Sequence, residues 1–117
     1  MSFGVKSLLA FVDPMMEYQI FIGLNDKDLH YQIIDDRAAV AWIGEMFPAG
    51  CTISRNQGLY LGEAENSLTV TVYAPKSEKS LIHAAAEKLR IAFNQNQVIL
   101  TVVKGKKNYL DLIKKVS

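Results

Sequence analysis

FPAGCTISRNQGLYLGEAENSLTVTVYAP, residues 47–75, is the stretch around which the chain is organised. It reads as a helix end, a tight turn, two antiparallel strands and a proline stop. Pro48, Ala49 and Gly50 end a helix, because proline and glycine cannot continue one. Residues 51–54 make a short strand that 55–58, Arg-Asn-Gln-Gly, interrupt as a bulge or turn. Residues 59–61 resume it, and 62–66 reverse the chain. Residues 67–74 are the clearest strand: Leu68, Val70, Val72 and Ala74 alternate with Thr69, Thr71 and Tyr73. Pro75 ends it.

Upstream, residues 18–24 alternate in the same way, with Tyr18, Ile20, Ile22 and Leu24 on the core side and Gln19, Phe21 and Gly23 on the other. Residues 25–28, Asn-Asp-Lys-Asp, are turn chemistry. Asp35 or Asp36 supplies an N-cap for a helix that runs to about Phe47, with Ala39, Val40, Ile43 and Phe47 inward and Trp42 on its flank. Val5, Leu8, Leu9 and Val12 fall at helical spacing, so residues 1–15 read as a short helical appendage to a single domain spanning 16–117. Downstream, Ile82, Ala85, Ala86, Leu89 and Phe93 form one apolar stripe of a helix over 78–94. Residues 98–103 are a β-branched last strand, and 109–113 read as a short terminal helix.

The element order is strand, helix, strand, strand, helix, strand. That order is the split βαβ signature of an α+β, ferredoxin-like sandwich: four antiparallel strands with two helices on one face. Right-handed crossovers would set the first and last strands side by side at the centre, with the hairpin strands outside. The bare face would carry Phe21, Thr69, Thr71, Tyr73 and Thr101. Such a surface is apolar enough to want a cover, which predicts a homodimer meeting through these residues.

With 13 basic and 12 acidic side chains, the 117 residues carry a net charge of +1. That balance gives no field for nucleic acid. The tail lysines at 104, 106, 107, 114 and 115 read as a solvated face. No apolar run is long enough to span a membrane and the start lacks a cleavage site, so a cytoplasmic protein is expected. The single cysteine, Cys51, excludes an intrachain disulfide and reads as core. No cofactor pattern and no phosphate-binding glycine loop is present. Asp26, Asp28 and His30 lack the further ligands of a metal site, and His83 flanks the second helix. Asn25, Tyr31, Trp42 and Glu45 are placed to line a mouth between the sheet and the first helix.

The candidate ligand-binding residues are Arg55, Tyr60, Glu63, Glu65 and Asn66, gathered on the central hairpin. A guanidinium, a phenol and carboxylates at one strand end suit a small anionic or polar ligand or proton transfer, although turn residues are also polar for local reasons.

Phe47, Pro48, Gly50, Thr52, Gly58, Tyr60, Gly62, Glu65, Phe93, Gln95 and Val98 together make a pattern. It resembles a family of small uncharacterised bacterial domains with Phe-Pro-x-Gly-Leu-Thr, Gly-x-aromatic and Phe-x-Gln-x-x-Val segments. Cys51 stands where that family has Leu. The resemblance spans about residues 18–103 and implies a fold, not a reaction. Three functions remain open: an oligomeric binding domain using the open sheet face, a small cofactor-independent enzyme with a cavity against a dimer partner, or a mobile-element accessory protein that docks on a host protein.

Overall fold

The inward row of the first strand sits at the middle of the sheet. In a computed structural model of the chain, which describes residues 14–104 and 107–114, the strands are β1 (Met15–Gly23), β2 (Thr52–Tyr60), β3 (Glu63–Pro75), β4 (Gln97–Lys104) and β5 (Lys107–Lys114). The helices are α1 (Asp36–Met46) and α2 (Lys79–Ala92), the latter entered through a 3₁₀ turn at Lys76–Glu78. One sheet takes the order β2-β3-β1-β4-β5, every pairing antiparallel.

Alternation decides what is buried. Met16, Tyr18, Ile20, Ile22 and Leu24 of β1 and its extension share one core with Leu68, Val70, Val72 and Ala74 of β3 and Val98, Leu100 and Val102 of β4. Ala39 and Ile43 of α1 and Ile82, Ala86 and Leu89 of α2 close the same core, so both helices cover the same face. Trp42 meets Phe93 edge-on at 5.8 Å between ring centroids, tying the two helix stripes together. Asp35 caps α1 by accepting from the Ala38 N–H at 2.8 Å, the role expected of it. Asn94 ends α2 in the left-handed conformation, φ 49°, with the Gln95 N–H returned to the Arg90 carbonyl at 2.9 Å.

Several expectations need correction. The hairpin strands do not flank a central pair: both lie on one side of β1. The reversal is only Leu61-Gly62, with φ 52° and 81°, a two-residue turn of the type that forces its strands to be neighbours. Residues 63–66 therefore belong to β3, and residues 55–58 do not interrupt β2, which pairs without a break from Thr52↔Thr71 to Tyr60↔Glu63. Residues 109–113 lie within strand β5 and not in a helix, paired to β4 from Lys104↔Lys107 to Gln97↔Lys114. Five residues cannot hold an isolated helix, whereas β4 offers them an unpaired edge. The proposed helix at 5–12 lies outside the described residues. Among the described residues no helix is long and apolar enough to cross a membrane.

Truncating Ile20, fully buried on β1, to alanine should cost about 2–5 kcal/mol. Asp35→Ala should cost only about 1 kcal/mol. Urea unfolding midpoints at constant slope measure both.

Candidate functional site

The site begins where β1 stops. Gly23 is the last residue of β1 and pairs with Ser67, but β2 and β3 run on to Tyr60 and Glu63. The hairpin thus overhangs the end of its neighbour. Between this arm, the 25–30 loop and the start of β4 lies a cleft of about 600 Å³, lined among others by Phe21, Gly23, Asn25, Glu65, Gln95 and Ile99. By register, Phe21, Gly23, Glu65, Ser67 and Ile99 all stand on the face that no described helix covers.

Glu65 is one of three carboxylates that line this cleft, the others being Asp26 and Glu63. It is half-buried, and one of its oxygens accepts from the Asn25 N–H at 3.3 Å. Burial pushes its carboxyl above the usual carboxylate range, while the Asn25 contact pulls the other way. Its side chain lies across β1 over Gly23. A Cβ built at Gly23 would stand 2.9 Å from the Glu65 Cδ and 3.0 Å from the Gln95 Oε1. Gln95 is 8% exposed. Its amide donates to the Asn25 carbonyl at 2.6 Å and to the Phe93 carbonyl at 3.2 Å. The Asn25 backbone is thus held on both sides, by Glu65 at its N–H and by Gln95 at its carbonyl.

The loop beside it is equally tied. Asn94 donates through its amide to both Asp26 and Asp28 at 2.9 Å, and its carbonyl accepts from the Lys27 N–H at 3.0 Å. The Asn94 contact, with the Leu29 and Asp28 N–H groups on the other oxygen, holds the Asp26 carboxyl below its usual range. His30 adopts φ 63° and lines the cleft. Among the described residues no three His, Cys, Asp or Glu side chains converge as a metal site would need.

The expected ligand residues divide between the faces. Glu63 and Glu65 line the cleft. Arg55 does not join them: it pairs opposite Leu68, whose side chain faces the helices. Asn66 also turns away, donating to the Gln32 side-chain oxygen at 3.0 Å. Tyr60 closes β2 opposite Glu63, and its side chain lies outside the described residues. Phe21, Thr69, Thr71, Tyr73 and Thr101 do share the open face. Phe21 is 36% and Tyr73 63% exposed, and the Tyr73 hydroxyl donates to Glu17 at 2.8 Å. That contact holds the Tyr73 phenol above its usual range.

Asn25, Tyr31, Trp42 and Glu45 do not converge on a mouth: Asn25 belongs to the open-face cleft and Trp42 packs on Phe93. Cys51 is half-buried against the core, where desolvation pushes its thiol up, away from the thiolate a nucleophile needs. The sequence reading gave Gly23 and Gln95 no functional role. A glycine on a strand can signal close approach of another group, and Gly23 at the end of β1 was the available sign.

No family model matches the chain, so the pattern over 47–98 carries no family assignment, and no curated protein matches it. Among solved structures it is similar to a phage SAM lyase in complex with S-methyl-5'-thioadenosine, at 19% identity and TM-score 0.68, covering 86% of this chain and 90% of that one. It is also similar to a phage SAM lyase in the apo state, at 24% identity and TM-score 0.59, covering 86% and 89%. At these identities the likeness shows a shared α+β fold. The neighbours are small enzymes, and one holds a small ligand.

A carboxyl that takes its proton at higher pH when folded than when unfolded contributes stability in acid and loses it as pH rises through the folded value. For Glu65 that loss begins above its ordinary 4.5. Glu65→Gln should therefore flatten the decline in stability across this range and leave the variant the more stable form at neutral pH. Denaturation at a series of pH values measures the difference.

Proposed function

We propose that the chain is a small cofactor-independent enzyme, a ferredoxin-like βαββαβ sandwich extended by β5. In this reading it binds an S-adenosyl sulfonium in the open-face cleft and cleaves it to S-methyl-5'-thioadenosine. The observation that carries the reading is the Glu65 carboxylate, held at the floor of a cleft of about 600 Å³ in a fold shared with an enzyme that holds that thioether. The volume falls within the range of small-molecule sites. Phe21 and Ile99 offer apolar surface, and Asn25, Ser67 and Gln95 offer polar groups nearby. Glu65, charged, faces a ligand whose sulfur is positive.

The chemistry needs no water. The bond between the sulfonium sulfur and the amino-acid carbon breaks, and its electron pair neutralises the sulfur. That carbon chain is then completed either by the substrate's own carboxylate oxygen, closing a ring, or by loss of a proton to a base. Glu65 favours the cationic ground state electrostatically. Positioning of the substrate's carboxylate must therefore come from elsewhere in the cleft. Incubating the protein with S-adenosylmethionine and separating the products by liquid chromatography and mass spectrometry should show S-methyl-5'-thioadenosine formed in proportion to protein. No product, together with no calorimetric binding of S-methyl-5'-thioadenosine, would end this reading.

A second reading concerns the same face. Met15 is 62% exposed and lies on the open side of β1 with Phe21, while Tyr73 follows on β3. A second copy of the chain covering this stripe would form a homodimer and wall the cleft from its open side. Light scattering should then give twice the chain mass, reverting to one chain mass in Phe21→Asp/Tyr73→Asp. A wild-type monomer at high concentration would exclude it.

A further inference from the structure

We propose that Gly23 and Gln95 are positioning residues of the cleft: the missing side chain at Gly23 makes the recess in which the Glu65 carboxylate lies, and Gln95 holds the Asn25 backbone that donates to it. The identification of the ligand rests on the sulfonium reading above; the recess does not.

The recess follows from three geometrical facts. Glu65 and Gly23 are on the same face, because Gly23 pairs with Ser67 and Glu65 is two residues earlier on β3. An added Cβ at Gly23 would stand 2.9 Å from the Glu65 Cδ, closer than folded proteins tolerate. The atoms it would meet are the ends of the Glu65 and Gln95 side chains and not backbone. Alanine at this position therefore moves a carboxylate and leaves the sheet in place. The backbone there is an ordinary strand conformation, which alanine adopts without strain.

Gln95 supplies the second half. Asn25 sits beyond the end of β1, where its N–H and carbonyl are no longer paired by the β1–β3 ladder. Gln95, emerging from the left-handed end of α2, captures the carbonyl at 2.6 Å. That leaves the N–H of the same residue aimed at Glu65, 3.3 Å away. A buried amide anchored on the carbonyls of Asn25 and Phe93 has little freedom, so α2 sets the position of a donor on the far side of the sheet edge. The half-buried carboxylate gains an N–H contact on one oxygen and faces a cleft whose lining sets Glu63, Glu65 and Asp26 against Lys27 and His30, so that next to Glu65 a cationic group is favoured over a neutral one.

The test uses the full chain with Gly23→Ala, Gln95→Met and Gly23→Ala/Glu65→Asp. Carbon-13 NMR titration of the Glu65 carboxyl reads the recess directly. In Gly23→Ala the carboxyl should titrate lower than in wild type, as it moves into water, while the melting curve keeps its shape. Shortening the acid in the double variant removes the clash and should restore a raised value. Calorimetry with two probes reads the consequence: sinefungin, whose side-chain amine is positive near the sulfonium position, and S-methyl-5'-thioadenosine, which is neutral there. Gly23→Ala should weaken sinefungin about tenfold, the scale of one charge-assisted contact, with little change for the thioether. Gln95→Met should act in the same direction, and it decides the matter if the alanine variant does not fold. An unchanged Glu65 titration in the folded Gly23→Ala protein overturns the recess. A wild type that binds neither nucleoside, with the titration shifted as expected, overturns the substrate reading alone.

Discussion

Everything in this molecule depends on the parity of β1. It is the central strand of the five, paired with β3 on one side and β4 on the other, and its inward row is almost wholly buried. A strand repeats every two residues, so a slip of one position would carry Ile20 and Ile22 to the open face and Phe21 into the core. Burying each of those side chains contributes on the order of 1.5–3 kcal/mol, which makes the slipped register prohibitively unfavourable. The register of β3 and β4 against β1 is fixed by the same rows, and the placement of every polar group on the sheet follows from it.

That parity sorts the hairpin side chains more sharply than their nearness in sequence does. Glu65 and Asn66 are neighbours in the chain but stand on opposite faces, one over Gly23 and the other reaching Gln32. Arg55 shares a face with Leu68 and so cannot neutralise Glu65. The carboxylate is left half-buried with an amide donor and no described cation on its own face of the hairpin. Desolvation then wins over its single N–H contact, which is why its proton is held more tightly than usual. Asp26, the residue after Asn25, shows the opposite balance. It too has left the ladder, but it collects the Asn94 amide and two N–H donors, which outweigh its desolvation, so its proton is held less tightly.

Much of this was legible in the residues alone. The inward rows of β1, β3 and both helices follow from periods of 2 and 3.6, except Val40, which stays outside the core, and the cap at Asp35 follows from its chemistry. Three things were not. The turn at Leu61-Gly62 puts leucine at a left-handed position that Asn, Asp or Gly usually occupies, so the arm read as shorter and more broken than it is. Residues 107–114 alternate too weakly to outweigh a helical reading, and they become a strand because β4 offers an edge. The site was half-visible: a set of polar residues names candidates, but only pairing says which face each one takes. Gly23 and Gln95 contribute by a missing side chain and a tertiary hydrogen bond, and neither leaves a periodic trace.

The arm also explains why the cleft lies at this end of the sheet. Beyond Gly23, β2 and β3 pair only with each other, and a two-stranded ribbon alone is marginal in water. Its tip exposes Leu59 at 79% and Leu61 at 88%. What secures the ribbon is at its root: the Leu24 N–H donating to the Asn66 carbonyl at 2.9 Å, the Asn66 amide to Gln32 and the Asn25 N–H to Glu65. Two of these three ties involve side chains, and one of them is a carboxylate of the cleft. A ligand that draws Glu65 away from Asn25 would loosen the root of the arm; one that leaves the contact intact would add to it. The carboxylate has two oxygens and the Asn25 N–H uses one, so a cation can approach the other without competing for the tie. Binding of a positive ligand and anchoring of the arm are therefore compatible in this geometry.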